Sequence, residues 1–365
     1  MRVLFLTGRA ADGGSERFVS SLAAELSARG HECLLVYDEP GLLSEELAAG
    51  GTECIRLGLG RRDALRAPAE LARIIKEKKI DVVHAQFPRE FVYAVKAAGR
   101  CPGTGVVFTD HLSVRQGLKW RLLNRHYGKG LSAAVCVHEA GRAVLKENGF
   151  PEDKTVFVPN GVAVPEAVPV PDPAVRRELG VKEDAFLCCV LARYAEEKGP
   201  DFLLDSLKVL AAGGKDFRCV ICGDGPLYAH ITERIEAEGL SGTVIQAGYR
   251  KDAGRVLAAS QLFLSPSRSE AMSMALLEAL AAGKPCVVTE AGGSAGTVLS
   301  APVCGISAAY GDAEGFASAI KKYMEDPELL AAHSENAFKK AAGCSLKAMA
   351  DRYLELYGAA CGGKK

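Results

Sequence analysis

Short aliphatic or β-branched runs alternate along the chain with longer stretches whose apolar positions recur every three or four residues. Residues 3–6 (Val-Leu-Phe-Leu) precede a stretch over 15–29 whose apolar positions are Phe18, Leu22 and Leu26. That spacing predicts a helix with one buried face. Further strand-like runs lie at 33–37, 81–84, 106–109 and 133–137, each followed by helix-like sequence. Such alternation builds βαβ units around a parallel sheet, so this part of the chain reads as one doubly wound domain.

Five of the sixteen prolines then fall between Pro159 and Pro173. Neither a helix nor a central strand holds them at that density, and the segment reads as an extended linker. Beyond it the alternation restarts, with strands predicted at 186–191, 218–222, 244–246, 262–264 and 286–289 and helices near 200–212, 227–239 and 272–282. The predicted organisation is a first domain over 1–165, a second over 166–345, and a C-terminal helix and tail over 346–365 that crosses back to the first domain. Two tandem domains of this class leave a cleft between the carboxyl ends of two sheets, where ligands bind.

Composition narrows the class. The 365 residues carry 45 Lys plus Arg against 45 Asp plus Glu, which weighs against a general nucleic-acid binder. The balance is a sum of opposites: 23 basic and 19 acidic residues up to residue 165, then 22 and 26 beyond it. Twelve scattered cysteines are too sparse for a disulfide scaffold and read as reduced thiols. Cys219 and Cys222 form a C-x-x-C inside an apolar run with no second ligand pair, so a core strand is expected there rather than zinc or redox chemistry. The opening residues lack a signal-peptide core, and no run of about 18 apolar residues occurs. A cytoplasmic protein is expected.

Several polar residues stand where strands hand over to helices. Glu270 and Glu278 are eight apart in a stretch that ends at Gly283-Lys-Pro285, a helix stop. Residues 275–282 are apolar on every face except at Glu278, and a carboxylate there needs hydrogen-bond donors from a ligand, the backbone or an arginine. Gly13 and Gly14 open the first helix, where backbone N–H groups and the helix dipole favour an anion, although the G-x-G-x-x-G spacing is absent. Arg193 and Lys198 lie between the first strand and first helix of the second domain, as phosphate-binding cations or as a solvated basic loop. Gly223-Asp-Gly-Pro226 is a tight turn, and His111 follows a strand as a ligand contact or a structural hydrogen-bonder.

In order along the chain, Gly13-Gly-Ser-Glu16, Thr109-Asp-His111, Pro159-Asn-Gly-Val162, the loop from Arg193 to Gly199, Gly223-Asp-Gly-Pro226 and the E-x7-E pair Glu270 and Glu278 resemble the motifs of glycosyltransferase family 4. The resemblance spans nearly the whole chain. It implies an α/β GT-B fold, two tandem Rossmann-like doubly wound domains facing each other across a cleft, and a retaining glycosyltransferase. It further implies a nucleotide-diphosphate sugar as co-substrate, bound mainly by the second domain, with the acceptor bound mainly by the first. No further cofactor and no metal are expected, since D-x-D is missing. By the same resemblance Glu278 would accept hydrogen bonds from the ribose and Glu270 from the donor sugar. Arg193 and Lys198 would neutralise the leaving diphosphate, His111 would orient the sugar, and Gly13, Gly14, Gly223, Gly292 and Gly293 would line the donor site. The chain departs from the family at Glu270-Ala-Met-Ser273, where Glu-Gly-Phe-Gly is frequent, and at 294–297, which carry no acid. Two alternatives are a GT-B sugar-nucleotide epimerase and a non-catalytic sugar-nucleotide-binding subunit of a glycan assembly complex.

The acceptor side has one further feature. Residues 112–131 carry Arg115, Lys119, Arg121, Arg125 and Lys129, His126 and the only tryptophan, Trp120, without a single acid. A basic helix with apolar residues suits an anionic membrane surface or a phosphorylated glycolipid acceptor, in lipopolysaccharide, capsule or exopolysaccharide synthesis. The alternative is a solvated helix whose aromatics pack inward. The expected location is therefore cytoplasmic, with peripheral contact to the inner membrane face through this segment.

Overall fold

The apolar runs pair only with one another, and every pairing is parallel. A computed structural model describes residues 1–11, 13–214 and 216–362. Within it the chain divides into two units, Met1–Gly161 with the residues from Leu346 onward, and Val162–Ser345.

In the first unit, β1 (Arg2–Arg9), β2 (Glu32–Glu39), β3 (Glu53–Arg56), β4 (Val82–Ala85), β5 (Gly105–Asp110), β6 (Ala133–Cys136) and β7 (Thr155–Phe157) form one sheet in the order β3-β2-β1-β4-β5-β6-β7. Both faces are covered, as parallel sheets require. Leu4, Leu6, Leu34 and Val36 enter one core, while Val3, Phe5 and Leu35 enter the other. The second core also takes Met349, Tyr353 and Tyr357 from the Leu346–Cys361 helix, three residues spaced by four on one face. Their polar atoms are satisfied by a buried chain: the Tyr357 hydroxyl meets His84 Nδ1 at 2.7 Å, His84 Nε2 meets Thr109 Oγ1 at 2.8 Å, and Thr109 meets the Tyr353 hydroxyl at 2.9 Å.

In the second unit, β8 (Phe186–Leu191), β9 (Phe217–Cys222), β10 (Val244–Gly248), β11 (Leu262–Ser265), β12 (Cys286–Thr289) and β13 (Gly305–Ala308) form a sheet in the order β10-β9-β8-β11-β12-β13. Cys219 and Cys222 lie buried as free thiols in β9, a core strand. In each sheet the strand order reverses once, between β1 and β4 and between β8 and β11. The carboxyl ends at those switch points are where open α/β sheets hold ligands.

Three strands escape a reading by pattern, β3, β7 and β13, and all lie at sheet edges. An edge strand buries little, so three or four residues of mixed polarity suffice. The proline-rich segment also ends sooner than its last proline. Pro173 is the first residue of the Pro173–Glu178 helix, and the Asp172 side chain caps it by accepting from the Ala174 N–H at 2.9 Å.

Candidate active site

Two loops meet at the switch point of the second sheet. Lys198 ends the single turn Glu196–Lys198 after β8, and Glu270 lies in the loop after β11. The backbone N–H groups of Arg268 and Ser269 donate to the Glu197 carbonyl at 2.9 and 3.2 Å, stitching the loops together. Lys198 Nζ then donates to the Glu270 carboxylate. Their side chains are only 27% and 13% exposed, so the pair is largely desolvated and each partner depends on the other. Arg193 sits on the same loop, paired with Glu197 at 2.6 Å but 63% exposed. An exposed pair contributes little, so this guanidinium can exchange its partner for an anion at small cost.

The glycines around these loops have steric reasons. A Cβ on Gly223 would lie 1.9 Å from the Ala192 carbonyl oxygen, because the turn after β9 runs backbone to backbone against the loop bearing Arg193. The Tyr194 N–H donates to the Asp224 carbonyl at 2.9 Å across that contact. Gly292 and Gly293 open the Gly292–Leu299 helix after β12, and the Gly293 N–H donates to the Ala271 carbonyl at 2.9 Å, beside Glu270. Glu278 is half-buried in the Met274–Ala281 helix, which Ser273 caps by accepting from the Leu276 N–H at 3.2 Å. The helix stops at Gly283, whose φ of 66° is left-handed.

The first unit presents a separate group of polar residues. Gly13 caps the Gly14–Ala28 helix, and a Cβ there would lie 2.7 Å from Glu16 Oε2. The helix thus brings a carboxylate of its own to its N-terminal turn, where an anion is favoured. Phe18 of the same helix packs edge-on against the His111 ring at 4.9 Å. Gln86 Nε2 donates to the His84 carbonyl at 3.1 Å, so Gln86 Oε1 faces His111 Nε2 at 2.8 Å. His111 therefore carries its proton on Nε2 and keeps a lone pair on Nδ1. Desolvation pushes its pKa down to about 3, and the ring is neutral near pH 7.

Burial also lowers the pKa of His84 and His138. Unfolded, all three take up protons below about pH 6.5, whereas the folded state resists doing so, so stability declines as pH falls from there towards the folded values. Thermal melts should show a lower Tm at pH 5 than at pH 7. A Tm unchanged over that interval would contradict the placement of these rings.

His111 also lines a cavity of about 490 Å³ at the carboxyl edge of the first sheet, with Gln86, Glu90, Asp110 and Trp120. Glu90 and Asp110 were not singled out by sequence pattern. One signal was available, since each is a carboxylate directly after or within an apolar strand-to-helix passage. The basic segment forms the Leu118–Tyr127 helix, and its two expected faces divide. Trp120 and Tyr127 pack partly against the core, whereas Leu118 and Leu122 are 69% and 60% exposed among the cations. Among the described residues, no helix is long and apolar enough to cross a membrane, and no cluster of three or more His, Cys, Asp or Glu is arranged to hold a metal ion.

Comparison with known proteins matches residues 12–164 to the model for glycosyltransferase family 4 and residues 172–340 to that for glycosyl transferases group 1. The UDP-Gal:α-D-GlcNAc-diphosphoundecaprenol α-1,3-galactosyltransferase of Escherichia coli is 25% identical over 309 residues, 80% of this chain and 79% of the relative. The lipopolysaccharide core biosynthesis glycosyltransferase LpsE of Rhizobium meliloti is 26% identical over 94% of this chain and 96% of its own. Among solved structures, a glycosyltransferase from Rickettsia africae superposes with a TM-score of 0.85 at 22% identity, covering 98% of this chain and 97% of its own. Anabaena HepE in complex with UDP gives 0.84 at 20% identity, covering 97% and 99%.

Proposed function

The chain belongs to glycosyltransferase family 4 and has the GT-B fold, and from that premise we propose a retaining, metal-independent transferase that moves a hexosyl group from a nucleotide-diphosphate sugar to a glycolipid or glycan acceptor of the cell surface. The observation that carries the reading is the Lys198 and Glu270 pair, a cation and a carboxylate poised together at a sheet switch point. When donor arrives, the carboxylate exchanges the ammonium for sugar hydroxyls, and the ammonium turns to the diphosphate. Glu278 accepts from the ribose, and Arg193 adds a second positive charge beside the leaving group.

In the transfer step, the acceptor oxygen attacks the anomeric carbon from the face that the diphosphate leaves. The carbon–oxygen bond to the leaving phosphate breaks, and the acceptor proton passes to a phosphate oxygen. Positive charge on Lys198 and Arg193 stabilises that departure without a metal. His111, neutral and with its Nδ1 lone pair free of its own proton, orients a hydroxyl of the sugar.

Thermal-shift screening against UDP-, GDP- and ADP-sugars tests the donor reading, because a ligand of the folded state raises apparent stability. One donor should raise Tm, Glu278→Ala should reduce that shift, and NMR of the product should show the donor's anomeric configuration. A product of inverted configuration, or no response to any nucleotide sugar, would overturn it.

We place the Leu118–Tyr127 helix against an anionic membrane surface. Arg121, Arg125, Lys129 and Lys146 line a shallow groove of about 600 Å³ beside the exposed Leu118 and Leu122. The name of the Escherichia coli relative specifies a diphosphoundecaprenol-linked acceptor, which has this combination of anion and lipid. Binding to phosphatidylglycerol vesicles should be lost when Lys119, Arg121 and Arg125 are all changed to Glu. Unchanged binding would remove this helix as the anchor.

A further inference from the structure

The amino edge of the second sheet, opposite the edge that bears Lys198 and Glu270, holds a cavity of about 540 Å³ beside the starts of β8, β11 and β12. Its wall carries two cations, Arg176 and Lys284, that are only 7% and 8% exposed. Charges so deeply buried are ordinarily paired, because leaving water is costly. Here every acceptor is neutral. Arg176 Nε donates to the Ala259 carbonyl at 3.1 Å, Nη1 to the carbonyls of Lys182, Glu183 and Ala185 at 2.9, 3.0 and 3.0 Å, and Nη2 to Gln261 Oε1 at 2.8 Å. Lys284 Nζ donates to the Ala258 carbonyl at 3.0 Å. Burial pushes the Lys284 ammonium down to about 8, with the Arg176 charge acting in the same direction, so both groups are cations near pH 7.

The two carboxylates of the wall do not compensate them. Asp172 pairs with Arg255 and caps the Ala174 N–H at 2.9 Å, while Glu183 is exposed to water. Hydrogen-bond donors are also in surplus. Gln261 Oε1 accepts from both Arg176 and the Leu187 N–H at 2.9 Å, which fixes the amide and leaves its NH₂ without an acceptor among the described residues. One N–H of Arg176 Nη2 and two of Lys284 Nζ are likewise unclaimed there. The rest of the wall is largely apolar, with Pro171, Pro285, Leu330 and Ala331. Its volume lies within the roughly 300–1,000 Å³ of small-molecule sites.

We infer that this cavity is a second ligand site, which takes the oxyanion of a small molecule, a phosphate or a carboxylate, on Arg176, Lys284 and Gln261 and packs the remainder of that molecule against Pro285 and Leu330. An oxyanion supplies what the wall lacks, negative charge and acceptor oxygens together. A neutral hydroxyl compound brings no charge, and a cation adds like charge. The site lies at the other edge of the sheet from the candidate active site, so its occupant is not the donor.

Reductive methylation with formaldehyde and cyanoborohydride, read peptide by peptide by mass spectrometry, reports on the Lys284 amine in the unaltered full chain. Labelling is followed while inorganic phosphate, methyl phosphate, acetate or butyrate replaces chloride at constant ionic strength. At least one of them should slow the labelling of Lys284 saturably, by roughly fivefold or more, and leave the exposed Lys321 unchanged. Protection by the phosphates or by the carboxylates identifies the head group, and butyrate against acetate reads the apolar wall. The protecting anion should also raise Tm, and Lys284→Met should raise the concentration it needs by roughly tenfold, the effect of a lost charged hydrogen bond. No labelling of Lys284 in chloride alone would mean that the amine does not open on the cavity. That result, no protection by any of the four anions, or an unaltered response in folded Lys284→Met would overturn the inference. The labelling result stands even if the variant fails to fold. No nucleotide sugar enters the experiment, so its outcome is independent of the transferase reading.

Discussion

Lys198→Ala should lower the transfer rate by roughly 10²–10³-fold, the effect of removing one group that stabilises developing charge in a water-poor site. The loss should fall on kcat more than on the KM for donor, because the diphosphate gains most of its charge as the bond breaks. The geometry permits a competing account, in which Lys198 serves only to hold Glu270 in place. The two are separated by repeating the substitution in a Glu270→Gln background. If Lys198 meets the leaving group, Lys198→Ala still costs a large factor there; if it merely holds the carboxylate, the second change costs almost nothing. Near wild-type kinetics for Lys198→Ala would refute both accounts.

The second large effect is on stability, at the residue next to it. Gly199 has a φ of 63°, and a Cβ there would lie 2.1 Å from the Pro266 carbonyl oxygen. Both obstacles are backbone, so neither can be relieved by turning a side chain. Gly199→Ala should cost about 2–4 kcal/mol, combining a left-handed alanine with overpacking. Urea unfolding should show a lower midpoint at an unchanged slope. Gly242→Ala is the contrast, since no atom lies within 4 Å of a Cβ built there and its φ is not left-handed. Its midpoint should stay within about 0.5 kcal/mol of the parent. Equal behaviour of the two variants would mean that the loops after β8 and β11 are not packed as described.

Much of the scaffold is legible in one sequence. The strand over 186–191 and the helix over 200–212 are bounded by Gly, Pro and charged residues sharp enough that pattern and structure coincide. The C-x-x-C is read as core because it lies in an apolar run with no second ligand pair, and β9 buries both thiols. Edge strands β3 and β7 are not legible, since partial burial leaves no strong periodicity. Among the candidate site residues, pattern marks individual positions but not their partners. Lys198 and Glu270 lie 72 residues apart, and nothing local to either reports that two loops are stitched through the Glu197 carbonyl.

The first unit is discontinuous in the chain, and this has a bearing on the order in which it can be completed. Thr109 and His84 find their hydroxyl partners at Tyr353 and Tyr357, which leave the ribosome 244 and 273 residues after them. Domains generally fold as units during synthesis, N-terminal first. Here the whole of Val162–Ser345 is translated before the last helix of the earlier unit exists. A nascent chain stopped short of Tyr353 has every strand of the first sheet but leaves a fully buried histidine and threonine facing an uncovered apolar surface, so the unit begun first is the one finished last.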